Sequence, residues 1–207
     1  MILQEKFQKL EQELRNNTNI QIEKITIGDA TDKDLLKVIL DMFAFEISDE
    51  IIKFYNGTSS IKIKWLCNLN ENSNIQKFNH EDEQIYGDIE IYGLARMTTF
   101  DEKLLSEYWT GNMEPEELED VQNFRYFNKH DEYLRLGFLI EDKKMSDEMY
   151  YIQEGTTGFA KAPFSFEEYV EAIFTYKGFL GFEYNMLYPE TASNKRMQHY
   201  IKEIFGE

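Results

Sequence analysis

The sequence predicts an α+β fold, in which a mostly antiparallel central sheet is flanked by helices. Helical periodicity dominates the first part of the chain, a run of strand-like segments follows, and a helix comes after them. That order is typical of α+β proteins rather than of alternating α/β proteins. Of the 207 residues, 42% are apolar and 15% are aromatic, which is enough to fill a core. We therefore expect one domain over residues 1–207, with acidic inserts near 68–83 and 98–120.

The N-terminal part contains two predicted helices around one strand. Residues 2–15 place four apolar residues on one helical face: Leu3, Phe7, Leu10 and Leu14. Residues 20–27 are predicted to form a strand with a bulge near residues 23–24. The next helix is predicted to begin at Thr31, with Asp34 in the capping-box position. Its inward-facing residues are predicted to be Leu35, Leu36, Ile39, Leu40 and Phe43.

A short helix and a strand come next. Ser48 is the predicted N-cap of a helix over residues 49–55, because two acidic residues then lie at its positive end. An Asn-Gly pair is predicted to end this helix. Residues 61–65 alternate strictly between apolar and polar, which predicts a strand.

The middle of the chain is acidic and less regular. Residues 68–83 are polar and predict a loop, whereas residues 85–94 predict a strand. One helix is predicted at 101–109. A second, acidic helix is predicted after Pro115, which fits the first helical position. Residues 124–127 predict a short strand.

The C-terminal part has the clearest pattern. Strands are predicted over residues 133–140, 149–153 and 159–161, with a turn at 155–158. Ser165 and Glu168 form a capping box that begins a helix. The core-facing stripe of this helix is Phe166, Tyr169, Val170, Ile173 and Phe174. Gly178 is predicted to close the helix at the first position beyond its C-cap, and residues 195–205 to form a last helix.

The negative charge is concentrated in one quarter of the chain. The net charge is −17, and residues 68–120 hold 14 acidic residues against three basic ones, a net −11. Such a field repels nucleic acid and anionic lipid and attracts basic partners. We therefore expect a basic protein partner, and neither nucleic acid nor membrane.

The sequence contains none of the catalytic motifs for which we searched. It has no nucleophile elbow, phosphate-binding glycine loop, dinucleotide fingerprint or zinc-protease motif, and its three histidines are scattered. We therefore predict a protein that is not an enzyme and uses neither a metal nor a cofactor. Cys67 is the only cysteine, and a buried position explains it better than a reactive thiol. With no secretion signal or membrane-spanning apolar run, we expect a cytoplasmic protein.

The acidic segments and an aromatic pair between them are the candidate partner-binding site. An exposed tryptophan among acids is a typical binding hot spot, although core packing is the alternative for Trp109. For the acids, the alternative is an ordinary solvated surface. The candidate residues are Glu81, Asp82, Glu83, Tyr108, Trp109, Glu114, Glu116, Glu117, Glu119 and Asp120.

Two segments of the chain resemble the SUKH superfamily. Residues 47–57 read Ile-Ser-Asp-Glu-Ile-Ile-Lys-Phe-Tyr-Asn-Gly, and a strand with Trp65 follows. Residues 134–182 read as strand, acidic turn, strand, glycine-containing turn and short strand, and then Ser-Phe-Glu-Glu-Tyr opens a helix. Residues 87–93 fit the middle strand of the family. The chain departs from the family in having Ile47 where a proline is common, and in its long acidic inserts.

The resemblance, over about residues 31–182, implies a function that composition does not. Bacterial proteins of this family are mostly immunity proteins that bind and neutralise a polymorphic toxin, often a nuclease. Because nucleases hold phosphates, they are commonly basic, which agrees with the acidic charge found here. The family also includes regulators linked to cell-wall synthesis and signalling. A non-catalytic scaffold that binds an endogenous partner is therefore the alternative.

Overall fold

The computed structural model describes residues 3–70, 74–105, 110, 113–129, 133–153 and 159–206. Its elements form the predicted α+β fold. Helices α1 to α8 cover Leu3–Asn16, Lys33–Asp41, Asp49–Tyr55, Leu94–Met97, Pro115–Asn123, Phe166–Thr175, Phe182–Leu187 and Ala192–Phe205. A 3-10 helix covers Glu102–Leu105. Strands β1 to β9 cover Gln21–Ile27, Ile61–Asn68, Gln84–Ile91, Phe124–Tyr126, Asn128–Lys129, Leu134–Glu141, Lys144–Met145, Tyr150–Gln153 and Ala160–Lys161.

The strands form two antiparallel sheets. The first has the order β1-β2-β3-β5, and the second has the order β4-β6-β8-β9 with β7 paired to β6. One segment belongs to both sheets, because β4 pairs with β6 while β5, directly after it, pairs with β3. Between these strands, the Phe127 N–H donates to Leu136 O and the Tyr92 N–H donates to Phe127 O. Residues 124–129 therefore link the two sheets.

The main core lies between one face of the sheets and the helices α1, α3, α6 and α8. Trp65 at its centre is 1% exposed and donates from Nε1 to Lys177 O over 2.9 Å. The rings of Phe54 and Phe127 each pack edge to face against Phe166, with centroids 5.2 Å and 5.0 Å from its own. Alternation along the strands produces this layer, because every second side chain of β2 is buried.

A smaller second core lies on the opposite face of the second sheet. The 3-10 helix and α5 cover that face, whereas Leu94 and Met97 of α4 belong to the main core. The buried side chains of this core are Leu104, Val121, Phe124, Leu139 and Ile152. The 3-10 helix and α5 are thus anchored by their own hydrophobic cluster, while Glu102, Glu114, Glu119 and Asp120 are exposed.

The corresponding face of the first sheet carries charged side chains and is only partly covered. Lys62 pairs with Glu90 across the strands at 2.7 Å, and Lys64 pairs with Asp88. Such cross-strand pairs of opposite charge stabilise a sheet by a few tenths of a kcal/mol, up to about 1 kcal/mol each.

Most of the predicted elements are present, and four details differ. The N-cap of α2 is Asp32 and not Thr31, because the Asp32 carboxylate accepts from the N–H groups of residues 34 and 35. Leu35, predicted to face inward, is 53% exposed. The first residue beyond the C-cap of α6 is Lys177, with φ +53°, and Gly178 follows it. Within the predicted helix 101–109, a 3-10 helix covers Glu102–Leu105, and residues 106–109 lie outside the described part.

Two helices were not predicted at all. One is α4, Leu94–Met97, which begins where the predicted strand 85–94 was expected to end; the observed strand β3 ends at Ile91. The other, helix α7, begins after Gly181, whose left-handed φ of +89° sets the direction of the chain there. The predicted turn at residues 155–158 falls outside the described residues. In the part of the chain that is described, no helix has the length and apolarity needed to cross a bilayer.

Candidate protein-binding site

The structure places the candidate acidic residues in two separate groups. Glu81, Asp82 and Glu83 directly precede β3, whereas α5 leads into β4. The end of β3 pairs with β5, so β3 and residues 123–129 extend in succession along the sheet. Asp82 of the first group is bonded to α8, whereas α5 packs on the second core, so the two groups lie on different parts of the fold.

Asp82 is held inside the fold. Its side chain is 12% exposed, and Arg196 of α8 donates to both of its oxygens over 3.0–3.2 Å. The hydroxyl of Tyr200 and the N–H of Asn79 also donate to it. Burial acts to raise the pKa of the Asp82 carboxyl, but the hydrogen bonds from Arg196 and Tyr200 outweigh it, and the pKa lies below its usual value. Asp82 therefore fastens the β2–β3 connection to α8.

The two neighbours of Asp82 remain on the surface. Glu81 and Glu83 are exposed, and the Glu81 carboxylate lies 3.6 Å from the ring of His80. His80 is itself almost fully exposed, so this contact is weak.

The second group lies on the anchored insert. Buried Val121 fixes one side of α5 against the second core, which turns Glu119 and Asp120 to solvent. The start of the helix is fixed by Glu117, whose carboxylate accepts the N–H of Glu114 over 2.8 Å. We use the name insert face for four exposed carboxylates and one exposed apolar side chain of this region, which are Glu102, Leu105, Glu114, Glu119 and Asp120; Lys103 and Gln122 are exposed beside them.

The insert face differs from other charged parts of the surface because its carboxylates have few cations near them. Among the described residues, none of its carboxylates forms an ion pair with a lysine, arginine or histidine. Lys103 is the single basic residue between positions 98 and 123. In contrast, Glu90 and Asp88 on the first sheet are matched with lysines. Negative charge therefore predominates on this part of the surface, where Lys103 is the one exposed cation among the described residues between positions 98 and 123.

A cleft adjoins the insert face where the insert meets the first sheet. Its cavity of about 370 Å³ is lined by aromatic and charged side chains, among them Tyr92, Arg96, Phe100 and Tyr126. The Arg96 guanidinium stacks 3.6 Å from the centre of the Tyr92 ring. Tyr126 donates to Asp101 at the cleft wall. The cleft therefore lies at the edge of the insert face.

Three of the candidate residues cannot be placed as side chains. Tyr108 and Trp109 lie outside the described residues, and for Glu116 the structure describes only the helical backbone. The roles predicted for these three residues stay predictions.

Helix α2 carries an exposed apolar stripe that was not predicted from the sequence. Leu35, Val38 and Met42 of α2 are 53%, 56% and 77% exposed, at the spacing of one helical face. Periodicity alone could not find it, because Leu36, Ile39 and Leu40 form a second apolar face of α2 that packs against the main core.

Comparison with known proteins adds no relative. The sequence matches no protein-family model and no curated protein.

Among the described residues, no three His, Cys, Asp or Glu side chains converge as a metal site would require.

Proposed function

We propose that this protein is a SUKH-like immunity protein that binds a basic protein toxin, in particular a nuclease, and neutralises it by covering the active site of the toxin. The observation that carries the proposal is the insert face, a group of exposed carboxylates without described ion-pair partners. Such a surface attracts a positively charged protein and disfavours an acidic one.

Blocking a nuclease needs no chemistry on the part of the inhibitor. A nuclease binds phosphates through lysine and arginine side chains. Carboxylates that dock on those side chains compete directly with the nucleic acid. Opposite charge also raises the association rate, to as much as about 10⁸–10⁹ M⁻¹s⁻¹ at low salt, which suits an inhibitor that has to act before damage is done.

The residues that carry the family resemblance support the proposal as well. The segment at 47–57 forms α3 and its Asn-Gly end, and Trp65 follows in β2. After the strand run, Ser165 accepts the N–H of Glu168 over 3.1 Å at the start of α6. These elements contain the residues that resemble the family.

The proposal is tested by capture followed by a growth assay. The tagged protein is incubated with lysate of its native host and eluted across a salt gradient. A basic protein should be retained at low salt and released at high salt. Expressed alone, that protein should stop growth, and co-expression of the immunity protein should restore it.

A different result would point to the alternative function. Retention only of non-toxic endogenous proteins, without any growth rescue, would contradict the toxin proposal and favour a regulatory scaffold.

A further inference from the structure

A second recess lies on the helical side of the molecule, away from the insert face. Its cavity of about 190 Å³ lies between α1, α3 and α6. Its apolar lining is Leu3, Phe54, Phe166 and Val170. Because α1, α3 and α6 cover the opposite side of the sheets from the insert, one flat partner surface cannot reach both places.

The rim of this recess carries three carboxylates and two lysines. Lys6 pairs with Glu171, and Lys53 lies 3.7 Å from Glu167. These two pairs leave Glu50 as the additional carboxylate. Among the described residues, no lysine or arginine forms an ion pair with it.

Glu50 is held in place at the mouth of the recess. Its carboxylate accepts the backbone N–H of Glu167 in the first turn of α6 over 2.6 Å. Burial raises the pKa of the Glu50 carboxyl above its usual value. The hydrogen bond from Glu167 and the charge of Lys53 oppose this change, whereas the charges of Glu167 and Asp147 add to it. The protein therefore offsets the negative charge of the ionised Glu50 carboxylate only in part.

An apolar recess with one such carboxylate at its mouth matches a long basic side chain. The hydrocarbon stem of lysine or arginine is commonly buried against apolar surface while its charged end stays at the polar rim. A guanidinium has the further advantage that it donates to a carboxylate in a planar, two-point arrangement.

We propose that this recess receives a lysine or arginine side chain of a protein partner, with the stem on Phe54, Phe166 and Val170 and the cation beside Glu50. The proposal does not depend on the toxin-binding function of the insert face. It describes a second contact surface on the other side of the molecule.

The test uses side-chain analogues and the whole protein. n-Butylguanidinium reproduces the arginine side chain, and n-butylurea has a similar shape without the charge. Each is titrated into methyl-labelled protein while NMR shifts are followed. We expect n-butylguanidinium to shift the methyl signals of Leu3 and Val170, with weak, saturable binding, and n-butylurea to bind less well.

Two variants make the result specific to Glu50. Glu50→Gln keeps an oxygen that can accept the Glu167 N–H, so the fold should be retained. The Glu50→Gln variant should bind n-butylguanidinium about threefold to fivefold more weakly than the wild type, because a partly exposed ion pair contributes about that much to affinity. Glu81→Gln, an equal change on the exposed β2–β3 connection, should leave it unchanged.

Several results would overturn the proposal. They are equal binding of the charged and uncharged analogues, equal loss in both variants, or no shift at the recess. None of these results bears on the insert face, so the two proposals can fail separately.

Discussion

Substituting Gly87 by alanine should destabilise the protein strongly. Gly87 lies in β3 and faces the indole of Trp65 in the main core. A Cβ at position 87 would lie 2.0 Å from Nε1 and 2.3 Å from Cε2 of Trp65. Because carbon atoms pack best at about 3.5–4.0 Å, the indole would have to move by roughly 1.5 Å.

The indole has little room for such a movement. The ring of Phe179 packs edge-on with its centroid 5.0 Å away, and Phe205 approaches to 6.0 Å. Displacement also stretches the hydrogen bond from Nε1 to Lys177 O. Overpacking costs about 1–3 kcal/mol and a lost buried hydrogen bond about 1–3 kcal/mol, against a gain of about 0.5–1 kcal/mol from replacing glycine in a strand. We expect a net loss of about 2–4 kcal/mol.

Urea denaturation of four proteins measures this effect and its cause. They are the wild type, Gly87→Ala, Trp65→Val and the double variant. In the Trp65→Val background, which lacks the Cδ1, Nε1 and Cε2 atoms that the new Cβ would meet, Gly87→Ala should cost less than about 1 kcal/mol, which gives a coupling energy of at least about 1 kcal/mol. Gly93→Ala is the matched control, because its Cβ would meet only Ser59 O at 3.4 Å.

Two outcomes would refute the reasoning. One is a Gly87→Ala variant as stable as the Gly93→Ala control. The other is the same cost of Gly87→Ala in both backgrounds, because the clash with Trp65 would then not be its cause.

Three further predictions concern single side chains. Asp82→Asn should lower the unfolding free energy by about 1.5–3 kcal/mol at pH 7, as Arg196 loses its charged partner. The pKa of Asp82 is lower in the folded state than its unfolded-state value near 3.8. The stability that the ionised carboxylate contributes is therefore fully present above pH 3.8 and is lost as the pH falls through the folded-state pKa. Urea melts of the wild type and Asp82→Asn should accordingly converge in acid. Ser165→Ala should cost about 1 kcal/mol in urea melts by freeing the Glu168 N–H, whereas Ser165→Asp should not. Burial raises the pKa of the Cys67 thiol to about 11, so it should resist alkylation at pH 8 until urea unfolds the protein; rapid labelling of the native state would be incompatible with its burial.

Local signals in the sequence predicted most of the fold. The capping box at Ser165 and the alternation of β2 need only a few neighbouring residues, and both are present in the structure. The start of α2 was wrong by one residue, because Thr31 and Asp32 are both good N-caps and the spacing to Asp34 favoured the former. Helix α7 was missed because it is short and follows a left-handed glycine, which composition does not reveal.

The site was harder to predict because it depends on distant pairings. Asp82 and Arg196 are 114 residues apart, so nothing near Asp82 indicated that its charge is used within the fold. Likewise, only tertiary packing shows that the two acidic groups lie on different parts of the fold, one bonded to α8 and the other on the second core. The acidity of the insert was visible in the sequence, and its anchoring on a second core was not.

The central claim is that the insert face binds a basic partner, and one pair of variants tests it. Glu119→Lys with Asp120→Lys changes the charge of the insert face by +4. Glu81→Lys with Glu83→Lys makes the same change at the other acidic group. Because all four residues are exposed, both variants should fold as stably as the wild type, within about 0.5 kcal/mol per substitution.

The decisive measurement is titration calorimetry of each variant with the basic protein that the wild type retains. We predict that the insert-face variant binds at least about tenfold more weakly, since like charges then face each other, and that the control variant stays within about threefold of the wild type. Equal weakening of both variants would mean that net charge alone governs binding, and unchanged affinity of the insert-face variant would mean that the partner binds elsewhere. Either result would contradict the claim.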